Sequence, residues 1–322
     1  MKILVTGAAG FIGFNLSRFL LEKKFKVVGI DNINDYYSTK LKKDRINQLK
    51  KFKNIKFYKT DLRNKKKLDE IFIKHKFDAI FHFAAQAGVR YSVDYPRKYI
   101  DSNINGFFNI LEKVRIKKIK KFFYASSSSV YGDSKSFPLK EKDLLFPTNT
   151  YSLSKKFNED LSLIYNKFYK TNAIGLRFFT VYGEWGRPDM FYSKVLDAAF
   201  KKTKLYVNNY GNHSRDFTYI KDVNLILYNL LKSKNIPGNE VLNICSNNPL
   251  NIIKLIQIVE KKSKKLKLHK RTMQKADVLK THGDNKKIKK YKLVKNFTPF
   301  EIGIRNTIDW YKKYNNFWVK IL

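Results

Sequence analysis

The sequence is poor in the residues that form disulfide frameworks and membrane spans. It contains a single cysteine, Cys245, in 322 residues, which excludes an internal disulfide and is typical of proteins from the reducing cytosol. No apolar run approaches the roughly 20 residues needed to cross a bilayer, and the apolar segment 1–5 is too short for the core of a signal peptide. No group of cysteines and histidines has the spacing of a zinc site. We therefore expect a cytoplasmic protein with no metal and no membrane partner.

Acidic residues are also scarce, with 27 Asp and Glu against 66 Lys and Arg and a formal net charge of +39. Such an excess occurs in proteins that bind nucleic acids or anionic membranes. The lysines are, however, scattered through nearly every segment, and no nucleic-acid-binding module is recognisable. The joint excess of Lys, Asn, Ile and Phe also suggests a general composition bias. We expect no specific nucleic-acid partner, although polyanions should adsorb at low salt.

Glycine is infrequent, at 14 residues, but three glycines fall in the pattern G-x-x-G-x-x-G near the start of the chain. They stand between the short apolar strand Lys2–Thr6 and a helical pattern of apolar residues. Glycines here allow a tight turn and bring backbone N–H groups against a pyrophosphate at the helix N-terminus. The alternative is a plain glycine turn between strand and helix. We predict a dinucleotide-binding loop comprising Gly7, Gly10, Phe11, Ile12 and Gly13.

Further cofactor contacts are expected where strand-like runs end. Asp31 follows the apolar run 26–30, roughly twenty residues past the glycines, where a carboxylate accepts from the adenosine ribose hydroxyls and repels a 2′-phosphate. This position favours NAD over NADP, against the alternative of an exposed loop aspartate. The other predicted cofactor contacts are Asn32 beside it, Asp61 and Leu62 at the adenine, and Ala84, Ala85 and Gln86 after the run 79–83.

Strand-like runs alternate with helical patterns up to about residue 180, and no proline interrupts the strands. The predicted fold class is α/β, with a Rossmann-like doubly wound parallel sheet and a smaller, mixed α/β C-terminal lobe for the substrate. The chain also exceeds the size at which single cores usually divide. We predict an NAD-binding domain at residues 1–180 and a substrate-binding lobe at residues 181–322, with an approximate boundary across which segments can interleave.

A serine run and a Tyr-x-x-x-Lys pair carry the chemistry. The segment 121–125, read as a buried strand, precedes Ser126 to Ser129, and Tyr151 and Lys155 open a predicted helix. Residues four apart share one helix face, and a neighbouring ammonium lowers the pKa of a phenol from its ordinary value near 10. A serine hydroxyl at the strand end can hold the substrate oxygen whose proton the tyrosine takes. The set suits removal of a proton from an alcohol whose carbon loses hydride.

In this order the motifs resemble the extended short-chain dehydrogenase/reductase family over most of the chain, and within it the NAD-dependent nucleotide-sugar epimerases. The resemblance rests on the glycine loop, Asp61-Leu62, residues 82–85, the serine run before Val130-Tyr131-Gly132, and Tyr151-x-x-x-Lys155. Residues 86–92, 177–183, 185–190 and 215–220 look like the UDP-glucuronate 4-epimerases. Glu184 is a departure, because that subgroup usually has proline at this position.

The resemblance implies roles for three catalytic residues. Ser127 matches the family's catalytic Ser/Thr, Tyr151 its base, and Lys155 the residue that lowers the tyrosine pKa and binds the nicotinamide ribose. Tyr151 would take the sugar 4-OH proton while C4 gives hydride to NAD⁺. The 4-keto sugar would then turn about its pyrophosphate linkage and take the hydride back on its other face. The family's usual homodimer would pair the helices at about residues 97–114 and 151–168.

The resemblance also implies the contacts to a UDP-sugar, which would lie mainly in the second lobe. Thr180 and Arg187, with Ser128 and Ser129, are expected beside the sugar, Arg215 at the UDP phosphates, and Arg90 at an anion. An arginine fork helped by hydroxyl donors suits a carboxylate, so the expected reaction converts UDP-glucuronate to UDP-galacturonate. The alternative for Arg187 is an ion pair with Asp189 or Glu184 in an exposed loop.

Three other functions are alternatives to this reaction. A neutral-sugar 4-epimerase acting on UDP-glucose or UDP-N-acetylglucosamine is the alternative if Arg187 binds no carboxylate. A 4,6-dehydratase needs an acid and a base directly after the catalytic hydroxyl, where this chain has Ser128 and Ser129. A catalytically silent dinucleotide- or nucleic-acid-binding protein is disfavoured by the complete set of Ser127, Tyr151 and Lys155.

Overall fold

The computed structural model of the protein describes residues 1–234, 236–274 and 277–314. Twelve strands occur in these residues, and they form three sheets. In chain order the strands are β1 (Lys2–Thr6), β2 (Lys26–Asp31), β3 (Ile55–Lys59), β4 (Ala79–His82), β5 (Phe122–Ser127), β6 (Ala173–Phe178), β7 (Thr180–Tyr182), β8 (Leu205–Val207), β9 (Ser214–Tyr219), β10 (Val241–Ile244), β11 (Pro249–Asn251) and β12 (Leu268–Lys270).

Helices connect these strands and cover the main sheet. They are α1 (Phe11–Glu22), α2 (Thr39–Leu49), α3 (Lys65–Lys74), α4 (Tyr91–Asp94), α5 (Pro96–Tyr99), α6 (Gly106–Ile116), α7 (Thr150–Tyr169), α8 (Phe191–Lys201), α9 (Ile220–Lys232), α10 (Ile252–Glu260), α11 (Lys286–Lys290) and α12 (Phe300–Tyr314). A π-helical turn at Ile100–Asn105 joins α5 to α6, and a 3₁₀ turn at Ser128–Tyr131 follows β5. No helix in the described ranges has the length and apolar character that a membrane crossing requires.

The main sheet has seven strands in the order β10-β6-β5-β4-β1-β2-β3, and all of its pairs are parallel. Its strands are apolar on both faces because helices lie on both sides. In β1, Ile3 and Val5 belong to one core cluster, and Leu4 belongs to the cluster on the other face. The predicted α/β fold class with a doubly wound parallel sheet is confirmed.

Strand order places the site. β1 and β4 are neighbours, and the chain continues outward from them in opposite directions. In open α/β sheets, ligands bind beside the carboxyl ends of the strands at this switch point. The loops that begin at Gly7, after Asp31 and at Phe83 all leave that edge.

The smaller sheets come from the second half of the chain. β7 pairs with β9 in parallel and β11 pairs with β9 antiparallel, while β8 pairs with β12. β10 instead joins the main sheet beside β6, so the segments interleave. The proposed boundary at residue 180 stays a prediction, and residues 235, 275–276 and 315–322 of the second lobe lie outside the described ranges.

Two elements at the centre of the sheet differ from expectation. The strand expected at residues 121–125 runs through Ser127, so the first two serines belong to the strand. The helix expected at about residues 97–114 is interrupted by the π-helical turn. α7 begins where expected, since Asn149 caps it: the Asn149 side chain accepts from the Ser152 N–H, and the Ser152 hydroxyl accepts from the Asn149 N–H.

Candidate active site

Tyr151 and Lys155 lie in the first two turns of α7 and face the end of β5. The Lys155 side chain is buried, and its Nζ donates a hydrogen bond of 2.9 Å to the carbonyl oxygen of Ala125. The same Nζ lies 5.9 Å from the centroid of the Tyr151 ring. Burial lowers the pKa of Lys155 to about 8, and the carboxylate of Glu159 opposes this decrease.

The phenol of Tyr151 meets Ser127 on its other side. Burial raises the pKa of Tyr151, and a hydrogen bond with Ser127 and the positive charge of Arg187 both oppose the increase. The pKa of Tyr151 is therefore raised in this structure and not lowered by Lys155 as the sequence predicts. The amine of Lys155 is turned to a backbone carbonyl, and only Ser127 and Arg187 oppose the increase. The structure brings Ser127, Tyr151 and Lys155 together, with Arg187 near enough to act on the phenol.

Ser127 is the last residue of β5 and is buried. Its Oγ donates to the hydroxyl of Ser129 and accepts from the Ser129 N–H, both at 3.2 Å. Ser128 and Ser129 are partly exposed in the following 3₁₀ turn. Ser127 is in register with Phe178 of β6, two residues before Thr180, so the predicted hydroxyl donors end at the same edge of the sheet.

The glycine loop crosses this edge at the end of β1. Gly7 has a φ of +72°, and a Cβ at this position would lie 2.7 Å from the amide nitrogen of Ala84. A Cβ on Gly13 would lie 2.1 Å from the carbonyl oxygen of Gly7. Gly10 is the N-cap of α1 and provides no side chain to the first-turn N–H groups, including those of Phe11 and Ile12. The loop is therefore a backbone cradle that only glycine permits, at a helix end that attracts anions.

Asp31 ends β2 and is buried beside the glycine loop. Its carboxylate accepts from the N–H groups of Ala9 (3.0 Å) and Ile33 (2.8 Å). Burial raises its pKa, and these hydrogen bonds together with the charges of Lys42 and Arg45 oppose the increase. A carboxylate oxygen can accept more than one hydrogen bond, so ribose hydroxyls can be added to this arrangement.

The residues expected around the adenine form a second group. The Asn32 amide donates to Asp61, and Arg63 forks onto the same carboxylate. These hydrogen bonds lower the pKa of Asp61 to about 2, although burial acts against them. Leu62 is buried next to the group. A cavity of about 220 Å³ opens here, and its lining includes Asn32, Asn34, Tyr36, Arg63, Gln86 and Asp101.

The segment after β4 completes the cleft and contacts Asn103, a residue that sequence reasoning missed. The Ala84 N–H donates to the hydroxyl of Thr6, and Ala85 follows it along the cleft. The backbone of Gln86 exchanges two hydrogen bonds with the Asn103 amide, at 2.7 and 3.1 Å. Asn103 also donates to Ser154 of α7. The π-helical turn aims Asn103 inward, as is common at functional sites, and the local residue pattern gives no sign of that turn.

Arg45 is a second residue that sequence reasoning missed. It lies on α2 with its side chain fully buried. Its guanidinium donates to the carbonyl oxygen of Ala9 in the glycine loop and to those of Trp185 and Gly186. Arg45 therefore ties the cofactor side of the cleft to the loop that carries Arg187.

The predicted anion contacts Arg90 and Arg215 lie near one aspartate. Arg90 forks onto Asp277 at 2.9 and 2.7 Å. Arg215 donates to the carbonyl oxygens of Ser214 and Leu279. Burial and the charge of Arg90 lower the pKa of Arg215 to about 10, and the charge of Asp277 opposes this. Two cations with mutual repulsion form a favourable site for an anion.

Arg187 and Glu184 follow β7 in one loop but point to different neighbours. Arg187 forks onto Asp189 at 3.0 and 2.6 Å, with 22% of its side chain exposed. The carboxylate of Glu184 accepts from the Tyr219 hydroxyl at 2.7 Å and pairs with Lys221 at 3.2 Å. The carboxylate of Glu184 is thus bound by Tyr219 and Lys221 and not by Arg187. Its charge is compensated by Lys221, which reduces its repulsion of an anionic ligand at Arg187.

Taken together, these features fit a dinucleotide and an anionic second ligand in adjoining parts of one cleft. Adding a Cβ at Gly7 or Gly13 would fill the space that the backbone leaves, and Asp31 is placed for a ribose. In residues 1–234, 236–274 and 277–314 no group of His, Cys, Asp and Glu is arranged to hold a metal ion.

Comparison with known proteins agrees with this reading. The family model described as GDP-mannose 4,6 dehydratase matches residues 4–307. Protein CapI of Staphylococcus aureus is 39% identical over 332 residues, covering 98% of this chain and 99% of that protein. A UDP-glucuronate 4-epimerase of Thermodesulfobacterium geofontis is 39% identical over 96% of each chain. The crystal structure of UDP-glucuronic acid 4-epimerase from Bacillus cereus, in complex with UDP-glucuronic acid and NAD, superposes with a TM-score of 0.91 at 32% identity, covering 97% of this chain and 99% of its own.

Proposed function

We propose that this chain, a member of the family described as GDP-mannose 4,6 dehydratase, is an NAD-dependent UDP-sugar 4-epimerase. The cleft described above supports this proposal. The resemblance to NAD-dependent nucleotide-sugar epimerases is confirmed by its relatives. The observation that carries the proposal is the convergence of Ser127, Tyr151 and Lys155 at the end of β5, with Arg187 acting on the same phenol. Within this class we propose UDP-glucuronate as the substrate and UDP-galacturonate as the product.

Each side chain has a distinct task in this proposal. The Tyr151 oxygen takes the proton from the sugar 4-OH and returns it to the 4-keto oxygen after the sugar has turned over. The Ser127 hydroxyl, which opposes the increase in the pKa of the phenol, would hold that sugar oxygen beside it. Bound NAD⁺ supplies the hydride acceptor for C4 and gives the hydride back to the opposite face.

The cleft would hold the cofactor through its backbone and three carboxylate or amide groups. The first-turn N–H groups of α1, which begins after Gly10, would bind the pyrophosphate, and Asp31 the adenosine ribose. Asn32 and Asp61 would meet the adenine side, where the cavity lies. The buried amine of Lys155 would exchange its hydrogen bond with Ala125 for one with the nicotinamide ribose.

The substrate carboxylate is proposed to bind between Arg187 and the hydroxyls of Thr180, Ser128 and Ser129. Burying a carboxylate is costly without a cation or several donors, and this part of the cleft supplies both. Arg90 and Arg215 would bind the diphosphate. If Arg187 instead keeps Asp189 as its only carboxylate, the neutral-sugar epimerase becomes the better reading.

Dehydration, the reaction in the family's description, is disfavoured in this chain. Loss of water across C5–C6 requires an acid and a base near the catalytic hydroxyl. The two residues after Ser127 are Ser128 and Ser129, and a serine hydroxyl is a poor general acid and base at neutral pH.

A homodimer is proposed from the unusual polarity of α7. The face of α7 that is buried in the chain is mostly polar, as Ser154, Lys155, Asn158 and Glu159 are all buried. Its exposed face instead carries a stripe of apolar side chains at helical spacing, which comprises Leu153 (54% exposed), Phe157 (41%), Ile164 (50%) and Phe168 (67%). An exposed apolar helix stripe marks a protein contact. We therefore propose that a second copy covers it, in a cytoplasmic enzyme.

The decisive experiment incubates the purified protein with UDP-glucuronate and with UDP-glucose in turn and separates the products. The proposal predicts UDP-galacturonate from the first, with slower or no conversion of the second. Faster conversion of UDP-glucose would replace the carboxylate assignment by the neutral-sugar one. Conversion of neither, with NAD present, would contradict the enzymatic proposal.

A further inference from the structure

Behind the amine of Lys155, a carboxylate and a guanidinium form a buried pair that no step above has used. Glu159 of α7 and Arg177 of β6 have side chains that are only 5% and 4% exposed. The guanidinium forks onto the carboxylate, with Nε–Oε1 at 2.9 Å and Nη2–Oε2 at 2.7 Å. The hydroxyl of Ser126 donates to the same Oε1 at 2.5 Å. This network joins α7, β5 and β6.

The pair is not explained by stability alone. Taking two charges out of water carries a large desolvation cost, and apolar side chains of similar volume often replace such pairs without loss of stability. Arg177 is nevertheless fully engaged, because its Nη1 also donates to the Tyr131 hydroxyl at 2.8 Å and to the Glu141 carbonyl at 3.1 Å. Arg177 and Ser126 both donate hydrogen bonds to the Glu159 carboxylate. The position of this carboxylate relative to the catalytic residues is therefore well defined.

The network includes residues next to the proposed catalytic residues on both α7 and β5. Glu159 follows Lys155 by four residues and Tyr151 by eight, so the three side chains share one face of α7. Ser126 directly precedes Ser127 in β5. A displacement of Glu159 would therefore move the helix face that carries the base and the strand end that carries the serine in relation to each other.

Glu159 is also the acidic group that acts on Lys155. The other titratable groups around Lys155 are His82 of β4 and Tyr151 of α7, and Tyr124 of β5 lies near Glu159. Burial lowers the pKa of His82 to about 3, and the charge of Lys155 acts in the same direction. Burial raises the pKa values of both tyrosines. At neutral pH these three groups are uncharged, which leaves the carboxylate of Glu159 as the counter-charge of the Lys155 ammonium.

We propose that Glu159, held in place by Arg177 and Ser126, is a positioning residue that keeps Lys155 protonated and keeps Ser127 aligned with Tyr151. This inference rests on the proposed function, since it assigns a task to a group that touches neither substrate nor cofactor. Burial already brings the pKa of Lys155 down to about 8. Without the Glu159 charge that pKa should fall further, and the amine should lose its proton within the neutral range.

The test measures the protonation of Lys155 directly, with Glu159→Gln as the variant. The protein, with its bound NAD, is labelled with trace acetic anhydride between pH 6 and 10, and acetylation of the Lys155 peptide is quantified by mass spectrometry. We expect the pH of half-maximal reactivity to fall by about one unit in the variant, the size of effect that one opposite charge at close range exerts. Glu70→Gln is the matched control, because it removes an exposed carboxylate that pairs with Lys67 on α3, and it should leave the value unchanged.

The same variants are assayed as epimerases across the same pH range. For Glu159→Gln the alkaline limb of the kcat/KM profile should move to lower pH, so that activity at pH 9 falls about tenfold more than at pH 6.5, as one unit of pKa requires. A loss by one factor at every pH, with unchanged labelling, would reduce the pair to a structural role and overturn the inference. If the wild type epimerises no UDP-sugar, the proposed function fails, while the labelling result still decides the charge of Lys155.

A second variant covers the case in which Glu159→Gln leaves Arg177 unpaired and the protein does not fold. Glu159→Gln combined with Arg177→Met removes both charges and keeps an acceptor for Ser126. It should fold, as judged by circular dichroism, because the guanidinium that the single variant would leave buried without a carboxylate is removed as well. The same decrease in the labelling pH is expected. An unchanged labelling pH in the folded double variant would also overturn the inference.

Discussion

The guanidinium of Arg187 is forked onto the carboxylate of Asp189, two residues further along the loop, with N–O distances of 3.0 and 2.6 Å. The hydroxyl of Tyr36 donates to the same carboxylate at 3.2 Å. Arg187 thus forms the ion pair of its alternative role, but it is not an exposed loop residue, since only 22% of its side chain is accessible. Its charge also opposes the rise in the pKa of Tyr151. The Arg187 guanidinium therefore lies near the phenol of Tyr151. Its two parallel hydrogen bonds to Asp189 are the geometry in which it could also bind the carboxylate of a hexuronate.

The first prediction concerns this fork. Arg187→Ala should lose most activity on UDP-glucuronate, because the sugar carboxylate would be buried without a partner. Removing one member of a buried pair costs about 3–5 kcal/mol, or roughly 10²–10⁴-fold in kcat/KM. The measurement compares kcat/KM of the variant and the wild type with UDP-glucuronate and, as the internal control, with UDP-glucose. Equal losses on both substrates, or intact kinetics with UDP-glucuronate, would show that Arg187 does not read the carboxylate.

The second prediction concerns the base. Tyr151→Phe removes the phenolic oxygen and keeps the ring, so folding and NAD retention should survive. Turnover should fall by about 10²–10⁴-fold, the range that general acid–base catalysis supplies. Tyr165→Phe is the matched control on the same helix, because its hydroxyl donates to Glu112 away from the cleft, and it should stay active. More than about a tenth of the wild-type rate in Tyr151→Phe, against that expected range, would point to another base.

The third prediction concerns the choice of cofactor. Protein purified without added nucleotide should release NAD(H) on denaturation, and NADP should bind far more weakly, because the buried carboxylate of Asp31 would face its 2′-phosphate. Asp31→Asn removes the repelling charge and should narrow the difference between the two dissociation constants. Chromatography of the released nucleotide and titration calorimetry on the stripped protein give both values. NADP as the tightly held species would contradict the role of Asp31.

The fourth prediction concerns the apolar stripe of α7. Replacing both Phe157 and Ile164 by glutamate puts two charges into the proposed contact between copies, so the dimer should dissociate to a monomer of about half its mass. Light scattering after size-exclusion chromatography measures this directly. Ile73→Glu is the matched control, because Ile73 is 79% exposed on α3, outside the stripe. A wild type that is already monomeric would contradict the proposed dimer.

Local sequence patterns predicted much of the fold and part of the candidate site. β1 occupies the predicted residues, and β2 and β4 match the apolar runs 26–30 and 79–83 to within one residue, because apolar runs between turn residues leave few other solutions. The glycine pattern placed the cradle, since steric space at Gly7 and Gly13 depends on the backbone within a few residues and on one neighbouring strand. The Tyr-x-x-x-Lys spacing placed two side chains on one face of α7, because helix periodicity is a local property.

Tertiary structure decided which residues distant in sequence are in contact and which partner each charged side chain binds. Asn103 reaches Gln86 and Ser154 only because a π-helical turn interrupts the helix. The pairing of Glu159 with Arg177 depends on β6 lying beside β5.

The amino-acid sequence by itself determined the α/β alternation, the glycine cradle, the acidic residue that ends β2 and the shared helix face of Tyr151 and Lys155. Each of these follows from a pattern contained within a short stretch of chain, where steric space and periodicity act over a few residues. Only the tertiary structure decided that Lys155 donates to Ala125, that Arg187 forks onto Asp189 and that Glu184 is held by Tyr219 and Lys221. A charged side chain settles on the partner that compensates its desolvation best, and that choice depends on which elements pack around it.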